Sequence, residues 1–307
     1  MSFHLTILGT GSANPVVTRN ATSHFLMVEQ EGYLFDCGEA TQMQLLRFKL
    51  KATRIKYIFI THLHGDHFFG LIGLLSTLNM HHRVDDLYIY GPRGLDEMLT
   101  LQMKYSDTRL NFKVHFEETR ADESYLLMEN DYVKVTTIPL VHRVPCCGFL
   151  IEEKEKPHKI LKELLPAHIS IEQIKRLKDG QDVLDDNGEV LYSCNYYTSK
   201  GPAPDSYAFC TDTAYHPAIL PIIKGVKLLY HETTFLHELV ERAKETCHST
   251  AYQAGQIAKE AGVTNLLIGH FSSRYKDLTP FIDEAKEVFH NTILGEDGMS
   301  IDFKDLV

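Results

Sequence analysis

The 307-residue sequence contains no run of eighteen or more apolar residues, so no segment is long enough to cross a bilayer as a helix, and no membrane partner is expected. The opening MSFHLTILGTGS has neither a basic stretch nor a long apolar core, and reads as a first strand in place of an export signal. None of the six cysteines (Cys37, Cys146, Cys147, Cys194, Cys210, Cys247) stands in a CxxC pair. Neither a zinc ribbon nor a disulfide framework is therefore expected. With no export signal, a reducing cytoplasm is the expected compartment. Positive charge is scarce: 31 Lys and Arg face 41 Asp and Glu, a net charge of −10. This argues against non-specific nucleic-acid binding, while leaving room for a local basic patch on a phosphate backbone. Histidine, in contrast, is abundant at 17 residues, and the pattern of those histidines carries most of the functional information.

Short apolar strands (HLTILGT, SHFLMVE, GYLFDCG, IKYIFITH) alternate with helix-like segments (EATQMQLLRFKL, FGLIGLLSTLNMHH, GLDEMLTLQMKYS). The second half continues the mixture with SYAFCTD, VKLLYHETTF, STAYQAGQIAKEAG and NLLIGHFS. No period repeats. The expectation is a layered α/β fold, one domain over residues 1–307. Residues 152–201 differ, being polar and partly basic between two apolar strands. They read as a short helix, a second helix and a hairpin at Asp186-Asn187-Gly188. The segment reads as an inserted arm projecting from the body, the alternative being an ordinary helical connection.

The stretch THLHGDH follows the apolar run YIFI and places His62, His64, Asp66 and His67 within six residues. On an extended loop His62 and His64 point the same way, so both imidazoles can reach one cation. Asp66 and His67 fall beyond Gly65 and can face a second one. Imidazole and carboxylate without thiolate suit zinc or a similar divalent metal. Three other expected strands also end in a suitable residue: His142, Asp212 and His270. Parallel strands of one sheet would deliver such ends to one rim. Seven donors from four loops fit two metals bridged by Asp212.

THLHGDH resembles the HxHxDH signature of the metallo-β-lactamase superfamily, and His142, Asp212 and His270 lie in the order that superfamily uses. The resemblance runs along nearly the whole chain and implies an αββα sandwich. It also implies that His62, His64, His142 and Asp212 hold one zinc, and that Asp66, His67, His270 and Asp212 hold the other. Fold alone does not fix chemistry. LGTGSANP, TRNATS, LFDCGEATQ, HETTF and CHST together resemble ribonuclease Z, the tRNA 3′-processing endonuclease family. By that resemblance Glu232 of HETTF orients His248 of CHST near the scissile phosphate. Arg19, Asn20 and Arg274 lie along the substrate, and residues 152–201 form the arm that grips precursor tRNA. The product is a tRNA with a free 3′-hydroxyl and a trailer with a 5′-phosphate, and the enzyme is a homodimer with two zinc ions per subunit. Asp66, a ligand and hydrogen-bond acceptor, is expected to orient the attacking water and take its proton. The family's PxKxRN loop stands here as PVVTRN, with Val17 at the lysine position, and the arm has no clear Gly-Pro-rich tip. The alternative is another dinuclear metal hydrolase of the same fold, acting on small phosphodiesters or thioesters.

Smaller signals remain open at this stage. LGTGS lacks the third glycine of a dinucleotide loop, since position 14 is Asn14, and reads as a tight turn. Asp36 can accept from a ligand histidine or cap the helix expected near Glu39. RFKLKATRIK, five basic residues without an acidic one, is either an RNA-backbone patch or a solvated face.

Overall fold

The structure, a computed structural model, describes residues 3–201 and 203–306. The chain falls into two compact units, Met1–Glu152 with Ser206–Val307, and Glu153–Asp205. In chain order the strands are β1 (Phe3–Gly9), β2 (Ser23–Val28), β3 (Glu31–Phe35), β4 (Ile55–Phe59), β5 (Leu87–Gly91), β6 (Val114–Glu118), β7 (Leu126–Glu129), β8 (Val133–Pro139) and β9 (Cys147–Glu153). Four short ones follow in the smaller unit: β10 (Lys159–Ile160), β11 (Val183–Leu184), β12 (Val190–Tyr192) and β13 (Thr198–Ser199). The larger unit resumes with β14 (Ser206–Cys210), β15 (Leu228–Glu232), β16 (Asn265–Gly269), β17 (Thr292–Leu294) and β18 (Ser300–Asp302).

One seven-stranded sheet runs β18-β1-β2-β3-β4-β5-β6, and the other β17-β16-β15-β14-β9-β8-β7. Strands β3 to β6 are parallel neighbours, as are β14 to β17. The period of two in each strand sorts the side chains into layers. Phe35, Phe59, Phe149, Tyr207, Phe209 and Tyr230 belong to one buried cluster in which residues of both sheets meet. Phe35 lies 5.3 Å from Phe59 and 5.6 Å from Phe209, ring to ring. On β15, Leu228 and Tyr230 join that cluster, while Leu229 between them joins Ala254, Ile257 and Phe281 of helices Ala251–Ala261 and Thr279–Val288. On the first sheet Leu34 and Ile58 pack with Leu71, Leu74 and Leu99 of helices Leu71–Met80 and Leu95–Tyr105. The layers are therefore helix, sheet, sheet, helix. The candidate ligands do not come from strands of one sheet. β4 belongs to the first sheet, and β8, β14 and β16 to the second. Two sheets stacked face to face share an edge, and that edge is where both sets of strand ends open.

The smaller unit contains a helix, Ile171–Lys178, started by a reciprocal Ser170–Gln173 capping box. Its hairpin β11–β12 turns through Asp185, whose Oδ1 accepts from the Asn187 and Glu189 amides, both at 2.9 Å. Leu177, Val183, Tyr192 and Cys194 form its small core. The short helix expected before Ile171–Lys178 does not form: Lys159–Ile160 pairs with β13 and turns follow. Pro157 and Pro166 bracket a stretch too short to overcome helix nucleation.

Among the described residues no helix is long and apolar enough to cross a membrane. The turn carrying the histidine cluster is seated by a close backbone approach. The Cys37 amide donates to the His67 carbonyl at 2.7 Å, and the Gly70 amide to the Cys37 carbonyl at 2.9 Å. A Cβ on Gly70 would lie 1.9 Å from the Gly38 carbonyl oxygen. Gly70→Ala is therefore expected to destabilise the protein by about 2 kcal/mol or more, since backbone must move on one side or the other. Urea denaturation of the two proteins checks this, and superimposable transitions would refute the contact.

Candidate metal centre

Four backbone segments deliver their side chains to one place. The loop after β4 carries His62, His64, Asp66 and His67. His142 follows β8, Asp212 follows β14 and His270 follows β16. Asp36, Asp212 and His270 each sit just past a strand and adopt left-handed backbone, with φ of 53°, 53° and 61°. Such a conformation is uncommon outside glycine and turns the chain sharply, which aims each side chain across the sheet edge.

The donor atoms form two foci joined by Asp212. In the first, His62 Nε2 is 3.0 Å and His142 Nε2 3.2 Å from His64 Nδ1. Asp212 Oδ2 lies 3.6 Å from His62 Nε2 and 3.7 Å from His142 Nε2. In the second, Asp66 Oδ2 is 3.2 Å from His67 Nε2 and 3.7 Å from His270 Nε2. The other oxygen of Asp212, Oδ1, is 3.3 Å and 3.0 Å from the same two nitrogens. One carboxylate thus turns one oxygen to each focus.

The opposite side of each ring fixes which nitrogen is presented. His67 Nδ1 donates to Asp36 Oδ2 at 2.7 Å, and Asp36 also accepts from the Thr61 amide and hydroxyl. His142 Nδ1 donates to the Cys247 carbonyl at 3.1 Å, and His270 Nδ1 to Thr234 Oγ1 at 2.8 Å. His62 Nδ1 lies 3.0 Å from Thr61 Oγ1, whose own proton goes to Asp36. With Nδ1 protonated, the Nε2 lone pairs of these four rings face the foci. His67 Nε2 and His270 Nε2 are buried without a hydrogen-bonding partner. His62 Nε2 and His142 Nε2 both lie within 3.2 Å of His64 Nδ1, a convergence of nitrogens that a cation between them would satisfy. The donors present therefore fit a metal: His62, His64, His142 and Asp212 can close around one ion, and Asp66, His67 and His270 around another.

Beside the second focus stands a second polar pair. His248 Nδ1 donates to Glu232 Oε1 at 2.7 Å. Glu232 is fully buried and also accepts from the amides of Thr213 and Thr234 and from Thr234 Oγ1. Burial would raise its pKa, but the charge and hydrogen bond of His248 outweigh burial and hold it lowered. Burial likewise lowers the pKa of His248, and Glu232 overrides it, moving it up to about 9. Thr250 caps helix Ala251–Ala261 and so fixes His248 two residues upstream.

His248, Arg274, His64 and Asp66 line a cleft of about 400 Å³. Arg274 lies over the Phe235 ring at 5.0 Å. Arg19 and Asn20 line an adjoining cleft, and some of their polar groups bond within the protein. Arg19 Nη2 donates to the carbonyls of Ser272 and Tyr275, and Asn20 donates its amide and Nδ2 to Asp297. Val17 is fully exposed. Of the run RFKLKATRIK, Arg47, Lys49, Lys51 and Arg54 are exposed, whereas Lys56 pairs with Glu31. Sequence reading did not reach Thr61, Thr234, the Cys247 carbonyl, Arg143 or Asp297. The second threonine of HETTF is a usable signal in retrospect; the others depend on which loops meet.

A family model described as Anti-Pycsar protein Apyc1 matches residues 3–157. The metallo-β-lactamase fold protein YhfI from Bacillus subtilis is similar in structure, with TM-score 0.68, 18% identity, and coverage of 98% of this chain and 100% of that one. The fold and the donor set thus define a metallo-β-lactamase fold protein with a metal-binding centre. Human tRNase Z, short form, matches with TM-score 0.72 at 30% identity over 97% of this chain and 98% of its own. The ribonuclease Z of Cytophaga hutchinsonii is 47% identical over 307 residues, covering 100% of this chain and 98% of the relative. That of Bacteroides thetaiotaomicron is 44% identical over 300 residues, covering 97% and 95%. The chain belongs to the ribonuclease Z family.

Thr234 Oγ1 joins Glu232 to His270, so its removal loosens a candidate ligand without touching the donor atoms. Thr234→Val is expected to weaken metal binding about 10- to 100-fold, the usual effect of losing such an outer partner. Competition with a chromogenic chelator measures this directly, and an unchanged affinity would remove Thr234 from the centre.

Proposed function

We propose that this chain is a metal-dependent endoribonuclease that removes the 3′ trailer from tRNA precursors, with two zinc ions per subunit. The observation that carries the reading is Asp212 turning one oxygen to each of two nitrogen-rich foci, beside a cleft that holds the Glu232–His248 pair. The nitrogen and oxygen donors, without thiolate, suit zinc. Divalent cations held there would supply water ionised near neutral pH, with a pKa of about 7, and offset charge building on phosphoryl oxygens.

The residues of the chain do the rest. Asp66, ionised at the rim of the second focus, orients the attacking water and accepts its proton. His248 gives Nδ1–H to Glu232, so its Nε2–H is the proton available to the cleft. As the P–O3′ bond breaks, that proton goes to the departing 3′ oxygen. The tRNA then keeps a 3′-hydroxyl and the trailer a 5′-phosphate. Arg274 meets the phosphate from the cleft wall. Arg19 and Asn20 line the adjoining wall beside Asp66, along which the substrate would run. Residues 153–205 would serve as the arm that engages the tRNA body, with Lys175, Arg176 and Lys178 exposed on its helix. A homodimer is supported by Met43 and Leu46, 58% and 70% exposed on helix Thr41–Arg47. Six free cysteines, five of them buried, accord with a cytoplasmic enzyme.

The reading is tested by incubating the protein with a 3′-extended tRNA precursor and mapping the cut. Trailer release that is lost on chelation and restored by zinc is expected. Replacing 153–205 by a short Gly-Ser linker, joined where the Glu153 amide meets the Asp205 carbonyl at 2.8 Å, should abolish precursor cleavage while hydrolysis of a small chromogenic phosphodiester persists. Equal retention of both activities would favour the small-phosphodiester alternative. His248→Ala should keep its metal and cleave more slowly by about 10²- to 10⁴-fold. The acid must be protonated, so wild-type activity is expected to fall as pH rises toward 9. Glu232→Gln removes the charge that raises this pKa, so the fall should begin at lower pH. An unshifted alkaline limb in that variant would exclude His248 as the acid.

A further inference from the structure

We propose that Arg143 is a substrate-binding residue that grips an RNA phosphate next to the scissile one; this rests on the endoribonuclease reading above. Arg143 directly follows His142 and lines the same cleft as His248, His64 and Arg274. It is exposed, and its guanidinium has no hydrogen bond or ion pair among the described residues. The other arginines here are engaged: Arg19 with two carbonyls, Arg274 with Ser272 Oγ and the Phe235 ring. Neither Arg143 nor Arg274 has a carboxylate partner among the described residues, so the cleft wall carries two cations whose charge is free to meet a phosphate.

The backbone beneath Arg143 is held on several sides. The Leu140 amide donates to the Cys146 carbonyl at 3.2 Å, closing the loop. The Val141 amide donates to Thr213 Oγ1 at 3.1 Å, and its carbonyl accepts from the Ala214 amide at 2.9 Å. His142 is tied through Nδ1 to the Cys247 carbonyl. The side chain therefore leaves a fixed base toward a cleft where phosphodiester chemistry is expected. A planar guanidinium with five donors matches two phosphate oxygens at once. Fixing the base beforehand lowers the ordering cost of that contact.

The test uses the zinc-loaded full chain, with Arg143→Ala and Arg143→Lys, and metal content measured for each. Binding of a fluorescent single-stranded RNA oligonucleotide is followed by anisotropy across a salt series. One phosphate contact on a single strand contributes about 0.7 to the slope of log affinity against log salt. Arg143→Ala should lose about that much slope and bind about 10-fold more weakly. Arg143→Lys should keep the slope while losing part of the affinity, because the charge remains and the fork does not. With the tRNA precursor, Arg143→Ala should raise KM about as much as binding falls and change kcat little. Equal slopes in wild type and Arg143→Ala overturn the proposal. So does a fall in kcat with unchanged KM and slope, which would make Arg143 a support for His142. Failure of the wild type to release the trailer would count against the endoribonuclease reading, while the salt slopes still decide the role of Arg143.

Discussion

The centre depends on one constraint: each imidazole must be told which nitrogen to protonate. A free histidine distributes its proton between two nitrogens, and a ring that turns the protonated one toward a cation cannot bind it. Here the choice is made by acceptors behind the rings. A buried carboxylate holds His67, a backbone carbonyl holds His142, and hydroxyls stand at His62 and His270. His64 differs, presenting Nδ1 to the first focus. Because three of the four outer partners, Asp36, Thr234 and the Cys247 carbonyl, lie on other segments of the fold, the donor geometry is set by packing of the whole sandwich and not by the THLHGDH loop alone.

The same arrangement manages buried negative charge. Asp36, Asp212 and Glu232 are each almost wholly out of water, a position that normally favours the neutral acid. Burial does push Asp36 up, with His67 and Thr61 opposing it. Glu232 remains the better satisfied, with four donors on its two oxygens. It reaches His248 directly and His270 through Thr234, so one carboxylate orients both the proposed acid and a proposed ligand. The left-handed residues at the ends of β3, β14 and β16 add backbone strain at the same edge. Strain of this kind persists where the surrounding structure over-determines the conformation, and here two sheets and their hydrogen bonds do so.

Much of this was legible in the sequence for simple physical reasons. Metal donors are chemically conspicuous, and their position after apolar runs marks strand ends, so His62 through His67, His142, Asp212 and His270 stand out. Alternating apolar residues similarly announce the layers. What was hidden depends on which segments become neighbours. Strand order could not be read: His142, Asp212 and His270 do follow strands of one sheet, but the THLHGDH loop follows a strand of the other. Asp36 was left between two roles because the partner that decides, His67, is 31 residues away. The partners that fix Arg19 and Asn20 of the TRNATS stretch, namely Ser272, Tyr275 and Asp297, lie at the far end of the chain and could not be read locally. The absent helix near Lys159 shows the opposite error, in which a locally reasonable pattern was too short to act on its propensity.

An acidic chain that handles RNA raises a question of scale. A net charge of −10 would repel a polyanion if it were felt at long range. At physiological ionic strength the screening length is only about 8 Å, so charges spread over the surface are largely hidden from an approaching strand. The local distribution then decides, and it is uneven. Arg143 and Arg274 stand at the cleft, Lys175, Arg176 and Lys178 on the helix of the smaller unit, and Arg47, Lys49 and Lys51 at and just beyond the end of the first helix. The acidic remainder still has a use: it discourages the long non-specific complexes that a uniformly basic surface would form. A small number of well-placed cations can thus give RNA binding that is both specific in position and strongly dependent on salt.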